Sequence, residues 1–347
     1  MKLRKSMIVC SLIVLLSVLT GMAAAQMAEG TEMQIGTNGT GQWYPAVYED
    51  RVVWTDTRNE SFDVLMYNIS TGEELRITST PFIQLTPDIY GDIIVWEDNR
   101  NGDWDIYMYD LSSGNETQVT AHPSDQRVPS IYEDRIVWTD MRNGSSDIFM
   151  YNITSGEETQ ITTNGAEQWY PVIHGDIIAW EDTRSGVSSI YMYNISSGEE
   201  SKLTENDSEQ YLPAIDGDRV VWTDYRNFNQ DIYMYDLSTG EEMQVTANTS
   251  WQVDPAISGN LIVWMDDRNQ EGDMPGNWDL FMYDISSGEE LQVISEESNQ
   301  VYPAVYGNRI VWTDMRNEEA SIFMFELDAV NTSEAIEEGA TGDITEE

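Results

Sequence analysis

The sequence repeats one pattern seven times: a tryptophan, with Asp two residues later and Arg two residues after that. The seven tryptophans are Trp54, Trp96, Trp138, Trp180, Trp222, Trp264 and Trp312. Five successive steps are 42 residues long and the last is 48, because the sixth repeat carries the extra segment "NQEGDMPGNW". A period of this length indicates a repeat architecture, in which each unit buries its apolar surface against its neighbours.

Each repeat predicts four short β-strands. In the second repeat these are "TPDIY", "DIIVWED", "DIYMY" and "TQVT", rich in β-branched and aromatic residues and bounded by turn residues. Gly91-Asp92 forms a two-residue hairpin turn between the first two strands. The second and third strands are apolar at nearly every position, so both faces of each sheet must be covered. Four-stranded sheets stacked around an axis satisfy this requirement as a β-propeller. A linear β-solenoid is the weaker alternative.

The two ends of the chain predict how the ring closes. The seventh repeat ends at "ASIFMFELDA" and lacks a fourth strand, whereas "TEMQIGTNGTGQWYP" from Thr31 matches "EEMQVTANTSWQVDP" from Glu241. Residues 31–36 should therefore supply the missing strand and remove an exposed sheet edge. The predicted fold is all-β, a seven-bladed propeller of four-stranded blades closed by an N-terminal strand. Its domain spans residues 26–330, between a signal peptide (1–25) and an acidic polar tail (331–347).

The repeat "RIVWTDMRNGSSDIFMYNITSGEETQIT" resembles the TolB-like propeller repeat, especially versions found in archaeal cell-surface proteins. The resemblance covers about residues 31–328 and implies the same propeller fold. It implies less about function, because propellers support many unrelated activities. Some seven-bladed TolB-like relatives are oligogalacturonate lyases with a metal-binding histidine cluster. This chain has only His122 and His174.

Several features predict an exported protein. A basic start, an apolar run from Met7 and the small residues ending at Ala25 are typical of a secretory signal peptide. The only cysteine, Cys10, lies in that run, which leaves no disulfide or zinc–thiolate site in the mature chain. We expect an extracellular or cell-surface location, periplasmic if the source is a diderm bacterium. Ten glycosylation sequons agree with this, and they are Asn38, Asn59, Asn68, Asn115, Asn143, Asn152, Asn194, Asn206, Asn248 and Asn331.

The formal net charge of −45 limits the partners. It argues against nucleic acid and anionic lipid, and we expect no membrane insertion of the mature chain. A cell-envelope protein or polysaccharide is the expected partner. The acidity fits solubility in a salty exterior, and divalent-cation binding is the sharper alternative. Asp266, Asp267 and Asp273, in or near the insertion, are the candidate Ca²⁺ ligands. No other cofactor is expected.

Repeated residues predict architecture, and residues that differ between repeats predict function. The Asp–Arg pairs should order the loop after the second strand, and the Trp side chains should fill the core. Extra aromatic residues occur in loops that should emerge on one face, where they could stack on sugars or anchor a protein. These candidates are Trp43, Phe62, Trp104, Trp169, Tyr211, Trp251 and Trp278. Gln42, Gln168 and Gln252 belong to a repeated Gln position that either joins blades or lines a polar channel.

The sequence predicts a protein that is not an enzyme. It has no recognisable nucleophile elbow, and His174 is expected to be an exposed turn residue. We therefore expect a secreted or surface binding or adhesion module for an envelope polysaccharide or surface protein. The alternative is a carbohydrate-active enzyme, a polysaccharide lyase or glycosidase. Paired carboxylates for glycoside cleavage stay open in a chain with 62 acidic residues. A purely structural envelope subunit is a third alternative.

Overall fold

The computed structural model describes residues 26–36, 41–58, 61–270, 277–317 and 319–328. Its 28 strands form seven four-stranded antiparallel sheets. The sequence prediction of a seven-bladed β-propeller is confirmed. The predicted signal peptide and acidic tail lie outside the described residues. No helix among the described residues is long and apolar enough to cross a membrane.

The first strand of each blade lies next to the axis. Each first strand contacts the first strands of both neighbouring blades, so the seven make a closed ring. They are β2 (Gln42–Tyr48), β6 (Gln84–Tyr90), β10 (Gln126–Tyr132), β14 (Gln168–His174), β18 (Gln210–Asp216), β22 (Gln252–Ser258) and β26 (Gln300–Tyr306).

The second and third strands form the middle of each blade. The second strands are β3 (Arg51–Asp56), β7 (Ile93–Asp98), β11 (Arg135–Asp140), β15 (Ile177–Asp182), β19 (Arg219–Asp224), β23 (Leu261–Asp266) and β27 (Arg309–Asp314). The third strands are β4 (Asp63–Asn68), β8 (Asp105–Asp110), β12 (Asp147–Asn152), β16 (Ser189–Asn194), β20 (Asp231–Asp236), β24 (Asp279–Asp284) and β28 (Ser321–Leu327).

The fourth strands are short and lie at the rim. In chain order they are β5 (Glu73–Arg76), β9 (Asn115–Gln118), β13 (Glu157–Gln160), β17 (Glu199–Lys202), β21 (Glu241–Gln244) and β25 (Glu289–Ile294). The seventh blade takes β1 (Gly30–Gln34), which pairs antiparallel with β28. The N-terminal strand therefore closes the ring as the sequence predicted.

The core consists of seven apolar clusters, most of them between adjacent blades. In one of them, Val53 and Val64 of the first blade pack against Ile94 and Trp96 of the second. All seven repeated tryptophans are fully buried. Burying an apolar face on both sides of each sheet supplies the main free energy of folding.

Each repeated tryptophan also fixes the end of its own blade. In the second blade the Trp96 indole Nε1–H donates to Asp98 Oδ2 over 3.2 Å, and the Arg100 guanidinium pairs with Asp98 and Glu116. That guanidinium lies 4.2 Å from the centroid of the Tyr107 ring. All seven repeated arginines pair with at least two carboxylates. The Asp–Arg pair therefore orders the loop after the second strand, within one blade.

Candidate functional site

The first strands surround an axial channel. Two cavities along the axis, of about 570 Å³ and 300 Å³, share the lining residues Asp88, Ser130 and Val172. The larger cavity opens where the first strands end at their hairpin turns, and we call that end the hairpin mouth. The smaller cavity opens at the start of the first strands, and we call that end the bulge mouth.

The hairpin mouth is a ring made by the last residue of each first strand. Its members are Tyr48, Tyr90, Tyr132, His174, Asp216, Ser258 and Tyr306. Neighbouring rings pack closely: the centroids of Tyr48 and Tyr90 are 4.6 Å apart, and those of Tyr132 and His174 are 4.2 Å apart. Burial raises the pKa of the Tyr48 and Tyr132 hydroxyls, so both are neutral members of this aromatic wall at physiological pH.

His174 and Asp216 form a hydrogen-bonded pair in this wall. His174 Nδ1 lies 3.2 Å from Asp216 Oδ1, and the backbone N–H of Gly259 donates to Asp216 Oδ2 over 2.6 Å. Burial opposes ionisation of Asp216, but the hydrogen bonds from His174 and Gly259 outweigh it and lower the pKa of this carboxyl group. Asp216 is therefore ionised at neutral pH and holds the imidazole with its Nε2 edge free of that contact.

Asp88 lies one layer deeper, in the middle of the channel. Its carboxylate accepts hydrogen bonds from the backbone N–H groups of Ile89 (2.8 Å) and Ile131 (2.9 Å). Burial nevertheless dominates and raises the pKa of Asp88. The larger cavity is therefore lined by two carboxyl groups, Asp88 and Asp216, whose surroundings shift their pKa values in opposite directions. Such pairs are typical of sites that combine an acid with a base.

The bulge mouth results from a β-bulge in every first strand. The residue before each proline has a positive φ of 48–56°, and the register shifts there. These residues are Tyr44, Thr86, Val128, Tyr170, Leu212, Asp254 and Tyr302, and all of them line the smaller cavity. Their backbone N–H groups turn toward the preceding blade, where Glu97 accepts from Val128 over 2.9 Å and Glu181 accepts from Leu212 over 2.7 Å.

The structure buries the candidate glutamines completely. Gln42 donates from Nε2 to Asp56 over 2.9 Å, and its Oε1 accepts from the backbone N–H of Ile322 in the neighbouring blade. Gln252 accepts from Thr246 of the preceding blade over 3.1 Å. Gln168 is equally buried and donates to backbone and side-chain oxygens of the loop before it. These side chains join blades and order loops, so they leave no surface for a ligand.

The candidate aromatic residues lie at the bulge-mouth face but do not line the channel. Phe62 and Trp251 are exposed. The other five are half-buried, and they are Trp43, Trp104, Trp169, Tyr211 and Trp278. The guanidinium of Arg127 covers Trp104 at 4.3 Å from the ring centroid. The structure therefore spreads these residues over separate blade junctions instead of gathering them in one pocket.

The candidate Ca²⁺ ligands do not form a group of three in the described residues. Asp266 is buried and pairs with Arg268, and Asp267 Oδ1 accepts from the backbone N–H of Trp251 over 2.7 Å. Asp273 lies outside the described residues. Within the described ranges, no three His, Cys, Asp or Glu side chains are placed to hold a metal ion.

No family model and no curated protein matches the chain, but solved structures do. An oligogalacturonate lyase from Vibrio parahaemolyticus is 10% identical, with a TM-score of 0.66 over 87% of this chain and 96% of that one. A puromycin-hydrolyzing peptidase from Mycobacterium tuberculosis is 12% identical, with a TM-score of 0.65 over 87% of this chain and 54% of that one. TolB from Acinetobacter baumannii is 18% identical, with a TM-score of 0.53 over 70% of this chain and 62% of that one.

At these identities the similarity shows the fold alone, a TolB-like propeller. The chain spans about half the length of the peptidase. A second oligogalacturonate lyase structure, solved in complex with manganese, has a TM-score of 0.67. The described residues provide no matching set of metal ligands.

These comparisons contradict the sequence-based prediction that the chain is not an enzyme. Propellers of the same architecture, a lyase and a peptidase, match over most of this chain, so a missing catalytic motif is no ground for excluding catalysis. The prediction failed because it placed His174 in an exposed turn, whereas the side chain is packed between Tyr132 and Asp216 in a cavity. The signal was available: this repeat position holds Tyr, His, Asp or Ser, while the flanking positions hardly vary.

Proposed function

We propose that the protein is a carbohydrate-active enzyme that cleaves an envelope polysaccharide at the hairpin mouth. The observation that carries this proposal is the His174–Asp216 pair, set in a tyrosine-walled cavity of about 570 Å³ above the half-buried Asp88. A cavity of this size, mostly apolar with a few convergent polar groups, is typical of a ligand site. The lyase similarity supports this reading, although it shows only the fold.

The wall and the charge of the protein favour a neutral stretch of glycan. Tyrosine rings offer flat apolar faces for the C–H face of a sugar and hydroxyl groups for its polar edge. A net charge of −45 repels polyanions. The predicted signal peptide and the ten sequons support a site of action outside the cytoplasm, where an envelope polysaccharide is accessible.

In this proposal the three polar groups carry out acid–base cleavage of a glycosidic bond. Asp216 accepts the Nδ1–H of His174, which leaves Nε2 to take a proton from water as the water oxygen attacks the anomeric carbon. The glycosidic C–O bond breaks as the leaving oxygen takes a proton from Asp88, whose pKa is raised by burial. This chemistry uses protein side chains alone, with roles of the kind seen in inverting glycosidases.

The test is turnover of isolated envelope polysaccharide by the mature chain. New reducing ends would report hydrolysis, and an unsaturated sugar would report elimination. We expect His174→Gln to lower kcat by a factor of about 10² to 10⁴, with an unchanged melting temperature. His122→Gln is the matched control, because His122 lies in a loop outside the channel and accepts a hydrogen bond from the backbone N–H of Ser124.

Two outcomes would overturn the proposal. One is that the folded wild-type chain releases no product from neutral or acidic envelope glycans. The other is that His174→Gln and Asp88→Asn both turn over as fast as the wild type. A fall in rate with Asp216→Asn alone would be weaker support, since Asp216 positions the imidazole and need not touch the substrate.

A further inference from the structure

The bulge mouth is a second opening of the channel, chemically unlike the hairpin mouth. Tyr44 and Tyr302 lie side by side with ring centroids 4.6 Å apart, and Tyr170 of the fourth blade lines the same cavity. Tyr44 and Tyr170 are about 40% exposed, so the cavity opens to solvent. Thr86, Val128 and Leu212 complete a mostly apolar ring around it.

One carboxylate points into this ring without a counter-charge. Asp254 lines the cavity, and among the described residues no hydrogen bond or ion pair reaches its side chain. Its backbone has a φ of 56°, and its N–H donates to Thr223 Oγ1 over 3.2 Å. The backbone of Asp254 is therefore strained in the bulge, at the residue whose carboxylate faces the channel.

We propose that the bulge mouth binds an organic cation, an alkylated ammonium group, between its tyrosine rings and the Asp254 carboxylate. Aromatic faces attract such a cation through their quadrupoles, and the attraction strengthens when the cation is desolvated. The carboxylate supplies the opposite charge. Aromatic cages that hold quaternary ammonium ligands surround the cation with such ring faces. The bulge mouth offers the same rings together with a carboxylate and an opening to solvent.

Other ligand classes fit this mouth less well. Ca²⁺ takes six to eight oxygen ligands, whereas the bulge mouth offers a single carboxylate with the deeper Asp88 as the next acid along the channel. An anion would meet Asp254 and Asp88 with no cationic residue lining the cavity. A neutral sugar could stack on the rings but would leave the Asp254 charge uncompensated.

The pH dependence follows from the same groups. Burial raises the pKa of Asp254 to about 6, so a cation gains its counter-charge above that pH and loses it as the carboxylate protonates below. The other titratable groups facing the cavity are Asp88 and the hydroxyls of Tyr44, Tyr170 and Tyr302. Burial raises the pKa of Tyr170, and it raises that of Tyr302 to about 12, far above this range. Affinity should therefore rise between pH 5 and pH 7.5.

Calorimetric titration of the mature chain with tetramethylammonium chloride, at matched ionic strength, tests the proposal. We expect one binding event, no comparable binding of the uncharged isostere 3,3-dimethylbutanol, and an affinity at least about tenfold lower in Asp254→Asn. Tyr170→Ala should weaken binding of the cation, whereas Tyr170→Phe keeps the aromatic ring and should bind it about as tightly as the wild type. Asp218→Asn removes the same charge from an exposed hairpin turn and is the matched control.

The result would count against the cage if Asp254→Asn bound tetramethylammonium as tightly as the wild type. Absence of binding to the folded wild-type chain would overturn it as well. His174→Gln should bind the cation normally, since it alters the opposite mouth. Failure of this site therefore leaves the proposed glycan cleavage untouched, and failure of cleavage leaves this site untouched.

Discussion

At the scale of single residues, the most repeated contacts stabilise and the least repeated ones carry the candidate chemistry. Asp224 shows the first kind. It is fully buried, accepts from the Trp222 indole over 3.0 Å and pairs with the Arg226 guanidinium. Burial opposes its ionisation, yet the bonds from Arg226 and Trp222 prevail and lower the pKa of Asp224.

Asp224→Asn should therefore destabilise the fifth blade. The amide presents a donor to the Arg226 guanidinium and removes a buried counter-charge, at a cost of about 3 kcal/mol. The urea midpoint at pH 7 measures this loss, with the exposed Asp218→Asn as control. Because a lowered pKa gives stability that is lost only as pH falls below about 4, the difference from wild type should persist at pH 5. An unchanged midpoint would mean that the repeated pair is not a stabilising contact.

At the scale of elements, the hairpin turns of the first two strands show the effect of a single backbone angle. The first turn position has positive φ in every blade, and five blades place glycine there. Glu49 and Glu133 occupy it with φ of 50° and 52°. A side chain in this region costs about 1–2 kcal/mol, so these two blades carry strain that the other five avoid.

Glu133→Gly should raise stability by about 1 kcal/mol, and Gly91→Ala should lower it by a similar amount. The alanine is informative because a Cβ at Gly91 would meet no atom within 4 Å, so only the backbone angle opposes it. Thermal unfolding of both variants measures the two stability changes, with Asp218→Asn again as the control. A stabilising effect of Gly91→Ala would show that the loss of chain entropy in the unfolded state outweighs the strain.

The strands were predictable from the sequence and the bulges were not. Trp96 and its equivalents are buried on a strand in every repeat, so their spacing counts blades directly. The bulges escape prediction because Tyr44 and Asp254 carry no glycine signature for positive φ, although proline follows each of them. That angle decides which side chains face the channel. The candidate site was therefore sought in the outer loops, and the ring containing His174 was missed.

At the scale of the whole molecule, the fold buries many acids in one protein. Burial raises the pKa of Asp88, Asp105, Asp147, Glu181, Asp231, Asp254 and Asp279. Glu181 illustrates the effect. It is 8% exposed, accepts from the Leu212 backbone N–H, and has its pKa raised to about 7. Glu97, at the equivalent position of the second blade, forms an ion pair with Arg127 at 2.8 Å. Among the described residues, no cationic side chain pairs with Glu181 in this way.

These buried acids with raised pKa values predict a protein that is more stable in mild acid than at neutral pH. An acid whose pKa is raised by folding destabilises fully above the folded pKa, and the penalty disappears as pH falls toward the unfolded value of about 4. The window therefore runs from about pH 7, set by Glu181, down to about pH 4. We expect a higher melting temperature at pH 5.5 than at pH 7.5.

Glu181→Gln separates burial from net charge as the cause. It should raise the free energy of unfolding at pH 7.5 by about 2 kcal/mol and flatten the dependence of melting temperature on pH, since the amide oxygen can still accept from Leu212. Glu133→Gln removes the same charge from an exposed turn and should do neither. Salt distinguishes the two causes again, because about 1 M NaCl screens surface repulsion but not a buried carboxylate. Equal effects of both substitutions would assign the acid stabilisation to the −45 charge of the whole surface.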